Sequence, residues 1–268
     1  MNAIDTLFRE LRAAKRKAFI PFVTAGDPDL GTTTRLVTEL SRRGASLIEI
    51  GFPYSDPIAD GSVIQASYTR ALARGVKIDD IFSAARSWSA CGVPLVAMVS
   101  YSLVHHRGPE RFVAQAKAAG YSGAVVPDLP VDEADTLAKI AADADFKLIL
   151  LVTPTTPRER AKRIAQLSTG FLYCVSVVGI TGERKALPVE LADQLRWLRT
   201  QTDLPLCVGF GISQPEHVRV LRDVVDGIIV GSALVRRLEQ IGPKPIEAVI
   251  DEIATQAHGL ATALTHDQ

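Results

Sequence analysis

The apolar positions of this 268-residue chain alternate between two rhythms. Ile4, Leu7, Phe8 and Leu11 stand at i, i+3, i+4 and i+7, which predicts an amphipathic helix at the start. The run Ala18-Phe19-Ile20-Pro21-Phe22-Val23 is too short for a helix and rich in β-formers. It stops at Ala25-Gly26-Asp27-Pro28, so it predicts a first strand. A helix is predicted over 30–43, ending at Gly44, and a second strand at Leu47-Ile48-Glu49-Ile50-Gly51. Further strands are predicted at 94–99, 123–126, 147–152, 171–175, 204–208 and 226–230, each followed by a helix-like pattern. Ala134, Leu137, Ala138 and Ala141 share one face, as do Leu191, Leu195 and Leu198. Ile246, Val249, Ile250, Ile253, Ala257 and Leu260 form the stripe of a last helix.

This alternation implies parallel strands joined by right-handed crossovers. The strands are near-continuous apolar runs, as when both faces of a sheet are buried. About eight such units over this length predict an α/β fold, a closed (β/α)8 TIM barrel with an extra N-terminal helix, rather than an open doubly wound sheet. No Pro/Ser-rich linker or composition break divides the chain, so residues 1–268 are expected to form a single domain.

Composition narrows the function classes. A 47% hydrophobic and 22% charged chain is not of the disordered class. Its 30 basic side chains are matched by 30 acidic ones, so it lacks the basic excess of a nucleic-acid or anionic-membrane binder. Cys91, Cys174 and Cys207 show no CxxC pair or metal-ligand spacing, which predicts neither a disulfide framework nor a metal site. Their odd number fits a reducing compartment. Met1-Asn2-Ala3-Ile4-Asp5 has an early acid and no apolar h-region, and the uncharged stretch 87–104 is interrupted by Gly92 and Pro94. A cytoplasmic protein without a membrane span is expected.

In a barrel of this kind the chemistry is built on the loops that follow the C-terminal strand ends. Three of these carry glycines: Gly179-Ile180-Thr181-Gly182, Gly209-Phe210-Gly211-Ile212-Ser213 and Gly231-Ser232. Singly, each reads equally well as a turn. Together in the last three units they point to a phosphate held by backbone N–H groups and helix N-termini, which needs no lysine or arginine excess. Gly209-Phe210-Gly211 is a poor dinucleotide fingerprint, because Gln214 stands where the third glycine belongs.

Glu49 lies inside an apolar strand, where an ionised acid is costly. It is therefore paired with a Lys or Arg in a polar layer, protonated, or aimed into a site. Two more acids follow in the loop 51–61. Asp56 reads as a turn acid or a site acid, and Asp60 either caps the helix that starts near Ser62 or shares a pocket with Glu49. Paired carboxylates in different environments suit acid/base chemistry. Asp128 reads as a site acid or a helix cap, and His105-His106 as a solvated loop pair. Lys147 falls at the opposite rim, and no Ser/His/Asp order or Schiff-base lysine at a strand end is visible.

Five blocks carry a family resemblance: residues 21–28 (PFVTAGDP), 48–61 (IEIGFPYSDPIADG), 126–130 (VPDLP), 179–182 (GITG) and 209–213 (GFGIS). In these, and over nearly its whole length, the chain resembles the α subunits of tryptophan synthase. The resemblance implies a lyase that cleaves indole-3-glycerol phosphate to indole and glyceraldehyde 3-phosphate by a retro-aldol reaction. It implies Glu49 as the acid/base, Asp60 on the indole N–H, Phe22 lining the indole site and Tyr173 near the reacting carbons. Thr181 would close over the substrate and contact Asp60, with 179–188 as a mobile lid. Substrate phosphate would be taken around Gly182, Gly211, Ser213, Gly231 and Ser232, and Phe210 would be a further substrate-binding residue. The resemblance further implies an α2β2 complex, with pyridoxal phosphate (PLP) in the partner β subunit and no cofactor or metal in this chain. Asp56 and Ser102 would lie at the subunit interface.

The sequence departs from the family pattern at Tyr54, often Phe, at Ser62, often Pro, and at Ser102, usually Asn. Other readings are a free-standing indole-glycerol-phosphate lyase and a non-catalytic regulatory subunit that binds phosphate ligands. The presence of both Glu49 and Asp60 argues against the latter. A phosphosugar isomerase would leave Ser55-Asp56-Pro57 and Asp60-Gly61 unexplained.

Overall fold

The computed structural model describes residues 1–58, 60–176, 189–209 and 211–265. Its strands are β1 (Ala18–Thr24), β2 (Ile48–Gly51), β3 (Leu95–Met98), β4 (Tyr121–Val125), β5 (Lys147–Ile149), β6 (Leu151–Val152), β7 (Leu172–Val175), β8 (Leu206–Gly209) and β9 (Gly227–Val230). Every pairing is parallel, in the order β5-β4-β3-β2-β1-β9-β8-β7-β6. β5 and β6 are parted only by Leu150, whose amide turns to the Ser168 hydroxyl (3.1 Å) while its carbonyl accepts from Tyr173 (3.2 Å). The nine segments thus fill eight positions, and the sheet closes through the 147–152 stretch as the TIM barrel expected from the sequence.

Period-two alternation sorts the strand side chains into two apolar layers. Phe19, Val23, Ile48, Ile50, Leu95 and Ala97 face outward to the helices. Ile20, Phe22, Val96, Met98, Val125, Ile149 and Tyr173 fill the interior. Because Ile48 and Ile50 point out, Glu49 and Gly51 point in.

Helix α1 (Ala3–Ala13) forms the barrel floor, with Ile4, Phe8 and Leu11 in the interior cluster and Phe8 5.8 Å from the Phe171 ring. Asn2 fastens it: the side-chain oxygen accepts from Ile4, and the amide donates to the Ser122 and Asp145 carbonyls (each 2.9 Å). Lys147 pairs with Asp5 at 2.6 Å, on this lower rim as its position in the strand predicts.

The crossovers hold α2 (Leu30–Arg42), α3 (Ser62–Ala73), α4 (Ile78–Trp88), α5 (Tyr101–Arg107), α6 (Pro109–Ala118), α7 (Asp135–Asp143), α8 (Arg158–Leu167), α9 (Val189–Arg199), α10 (Pro215–Leu221), α11 (Ser232–Val235) and α12 (Ile246–Thr262). The sequence rhythm predicts one helix per strand, yet β2, β3 and β9 are each followed by two. Gly75 (φ +77°) lies between α3 and α4, and Gly108 (φ +86°) between α5 and α6. Both occupy the left-handed region that glycine enters without steric penalty. His105 and His106 are therefore in the last turn of α5, not in a loop, although both are exposed as a solvated pair should be. No described helix is long and apolar enough to cross a membrane.

Candidate active site

The site is built at the upper end of β1 and β2. Their register sets Phe22 opposite Glu49 and Thr24 opposite Gly51. A Cβ at Gly51 would stand 2.3 Å from Phe22 Cζ and 2.8 Å from the Tyr68 hydroxyl, so these rings occupy the space above Glu49. Across the barrel, a Cβ at Gly209 would stand 2.4 Å from the Tyr173 hydroxyl. Glycine at 51 and 209 is what lets three aromatic rings crowd around one carboxyl group.

Glu49 is 2% exposed, and neither carboxyl oxygen has a hydrogen-bond partner among the described residues. The reading in which a Lys or Arg pairs with it is therefore set aside. Burial, with the charge of Asp60 adding to it, pushes its pKa up to about 8. At neutral pH Glu49 is mostly the neutral acid, able to donate a proton.

Asp60 is also buried, and its environment differs. The Tyr54 hydroxyl donates to Oδ2 at 3.5 Å, and the Asp60 carbonyl accepts from Gln65 Nε2 at 2.8 Å. Burial raises its pKa, the Tyr54 hydrogen bond opposes the rise and the charge of Asp128 adds to it, leaving it at about 6. Asp60 does not cap α3: the N-cap is Gly61, with no side-chain hydrogen bond. One neutral acid and one mostly ionised carboxylate thus stand within electrostatic reach of each other at neutral pH. This division suits proton transfer beside a developing positive charge.

Other candidates fall at different distances from this centre. Tyr173 is buried and feels the charges of Glu49 and Asp60. Gly231 abuts Phe22, with a Cβ there 3.6 Å from Phe22 Cβ, and Ser232 opens α11 beside it. Gly211 (φ +76°) is exposed, while the Ser213 amide points to His217 Nδ1 at 3.4 Å. Asp56 is an exposed turn acid, accepting from Ser55 Oγ (3.1 Å), beside the exposed Ile58. Thr181, Gly182, Phe210 and the 179–188 segment lie outside the described residues. No group of three or more His, Cys, Asp or Glu is placed to hold a metal among the described residues.

Asp128 meets the start of a helix on the neighbouring crossover, whose N-cap is Ser100. It accepts from Ser100 Oγ (2.6 Å) and the Tyr101 amide (2.7 Å), fixing the start of α5, where the exposed Ser102 hydroxyl contacts Ser100 Oγ (2.8 Å).

Two tyrosines of the site are not marked by the sequence pattern. Tyr68 is 1% exposed and packs with Ile64 in the interior cluster. The i, i+4, i+7 spacing of Ile64, Tyr68 and Ala71 was the available signal. Tyr54 was noted only as a departure from the family. Helix α3 is tied to the end of β1 by Thr24 Oγ1–Ser67 Oγ (2.7 Å) and by Arg70, which donates to both oxygens of the buried Asp27 (2.9 and 2.7 Å).

Comparison with known proteins extends this picture. Residues 8–265 match the family model described as tryptophan synthase alpha chain. The chain is 49% identical to a tryptophan synthase alpha chain of Rhodopirellula baltica over 98% of this chain and 99% of that relative. Among solved structures, tryptophan synthase subunit alpha from Legionella pneumophila str. Paris superposes with a TM-score of 0.88 at 34% identity, covering 98% of both chains. An aminoacrylate-bound tryptophan synthase from M. tuberculosis gives 0.88 at 28% identity, over 99% of this chain and 100% of that one.

Proposed function

This chain belongs to the tryptophan synthase alpha chain family, and on that premise we propose that it serves tryptophan biosynthesis as a lyase, Glu49 and Asp60 carrying the cleavage of indole-3-glycerol phosphate into indole and glyceraldehyde 3-phosphate. The observation that carries the reading is the isolated carboxyl of Glu49, buried and without a partner among the described residues. A group in that state is costly unless substrate completes its surroundings.

The bond between indole C3 and the side chain breaks when C3 gains a proton and the adjacent side-chain hydroxyl loses one. Glu49 delivers its proton to C3, and the positive charge that develops on the indole nitrogen is met by the Asp60 carboxylate, which accepts the N–H. The electrons of the C3–C bond return to the ring as the hydroxyl becomes the aldehyde of glyceraldehyde 3-phosphate, its proton going to Glu49. The acid is regenerated, and no external proton is consumed. Phe22 and Tyr68 form the apolar wall for the indole, with Tyr173 on the opposite side. Gly231 and Ser232 beside Phe22, with Gly182, Gly211 and Ser213, take the phosphate, Phe210 adds to the substrate site, and Thr181 in the 179–188 lid closes over the substrate.

The chain works as one barrel domain in the cytoplasm, paired with a β subunit in an α2β2 complex through a face that includes Asp56 and Ser102. PLP belongs to that partner. Supporting this, Lys147, the one lysine within the described strands, stands at the lower rim paired with Asp5, so no strand lysine is offered at the mouth for a Schiff base.

The direct test is indole release from indole-3-glycerol phosphate by the purified chain, alone and with a β subunit. Indole and glyceraldehyde 3-phosphate should appear in equal amounts, faster with the partner. Absence of indole under both conditions would refute the reading.

A further inference from the structure

The loop from β2 to α3 brings a second side chain, Tyr54, to Asp60. Tyr54 is half-buried, its ring lies 5.7 Å from that of Tyr68, and its hydroxyl donates to Asp60 Oδ2 at 3.5 Å. The ring contact sets where the phenol stands, because Tyr68 is itself fixed on α3 by the Thr24–Ser67 and Asp27–Arg70 ties nearby. One carboxyl oxygen of Asp60 is thereby engaged from the loop side.

We propose that the Tyr54 hydroxyl is a positioning group for Asp60, holding its carboxylate turned to the pocket so that it meets the indole N–H. The inference rests on the role given to Asp60 above and adds the residue that governs it. Phenylalanine at this position would keep the ring packing and lose only the donor.

The charged surroundings make the donor matter. Asp60 faces Glu49 from β2, the phenols of Tyr68 from α3 and Tyr173 from β7, and Asp128 from the loop after β4, while Asp56 on the same loop acts on Tyr54. None of these is a cation. The Tyr54 hydrogen bond is the influence that favours the ionised form, against burial and the charge of Asp128. At 3.5 Å it is longer than the usual O–H···O bond of about 2.5–3.0 Å, so its removal should shift Asp60 upward only modestly, by about half a pH unit.

The experiment compares the full-length wild-type chain with Tyr54→Phe and Asp60→Asn. The Asp60 carboxyl is titrated by ¹³C NMR, its signal assigned by its loss in Asp60→Asn, and indole release from indole-3-glycerol phosphate is followed against pH. In Tyr54→Phe the Asp60 midpoint should rise, and the acid limb of the activity profile should move with it. The rate should fall about twofold at pH 6 and change little at pH 8, as the ionised fraction of a carboxylate near pH 6 dictates. A ring that served packing alone would leave both curves in place, and that result overturns the proposal. Wild-type indole release by Asp60→Asn would instead overturn the assignment of Asp60. If Tyr54→Phe folds poorly, the Tyr54 Cζ resonance of the wild-type chain is followed by ¹³C NMR from about pH 5 to pH 8, where it should shift with the Asp60 midpoint. A resonance that ignores that titration refutes the contact.

Discussion

A carboxyl group that is 2% exposed and unpaired gives up its proton reluctantly, and in Glu49 this couples chemistry to stability. Its pKa of about 8 in the fold exceeds the 4.5 of an ordinary glutamate. Below pH 4.5 both folded and unfolded chains carry the proton. Between 4.5 and 8 the unfolded chain has lost it and the folded chain keeps it. Stability therefore falls as pH rises through this window, by up to about 1.4 kcal/mol per unit from this group. Glu49→Gln cannot titrate, so urea denaturation should show the variant gaining on wild type from pH 5 to pH 8. A constant difference between the two would mean that Glu49 is not held neutral. Glu49 was legible in sequence because an acid interrupts an apolar strand. The choice among its three readings was not, since that depends on which side chains from β1, α3 and β7 surround it. Asp60 carried the same ambiguity, and only the placement of Gly61 as the N-cap resolved it.

At the scale of elements, the first turns of α3 form one wall of the site, and the ties to β1 keep them there. Asp27 is 1% exposed, and its charge is met by the bidentate Arg70. Arg70→Leu would leave a buried carboxylate unpaired and should cost about 3 kcal/mol, the lower end for a broken buried pair because Arg70 is partly exposed. Chemical denaturation would measure it, and a cost below 1 kcal/mol would show that the tie is not structural. Gly51→Ala would push against the Phe22 ring and the Tyr68 hydroxyl, at about 1–3 kcal/mol of overpacking. It should also raise KM for indole-3-glycerol phosphate, read from steady-state indole release. Strand positions were recoverable from apolar runs nearly to the residue. The paired helices after β2 and β3 were not, because Gly75 and Gly108 sit within patterns that continue on either side. The break at Leu150 was invisible, since its amide is diverted by Ser168, eighteen residues away.

For the molecule as a whole, the barrel separates a floor that stabilises from a mouth that reacts. Phe8 closes the floor against Phe171, which stands just before the N-terminal end of β7, opposite the strand ends that carry the site. Phe8→Ala should cost about 3 kcal/mol in unfolding free energy while leaving kcat of the folded chain nearly unchanged. A large loss of kcat at full folding would contradict that separation. The equal count of acidic and basic residues fits the same division. The phosphate is assigned to loop amides and hydroxyls, so no basic surface is required of the barrel. Eight repeating units were readable because each strand is buried on both faces. How the loops converge was not, because it depends on closure of the sheet through 147–152.

The central claim is that Glu49 is the proton donor for carbon–carbon cleavage, and Glu49→Gln tests it most directly. Indole release from indole-3-glycerol phosphate and calorimetric binding of that substrate are measured on the same preparation. The account predicts a fall in indole release of about 10²- to 10⁴-fold, the usual contribution of a positioned acid/base, with binding retained to within a few-fold. Indole release near the wild-type rate would contradict it.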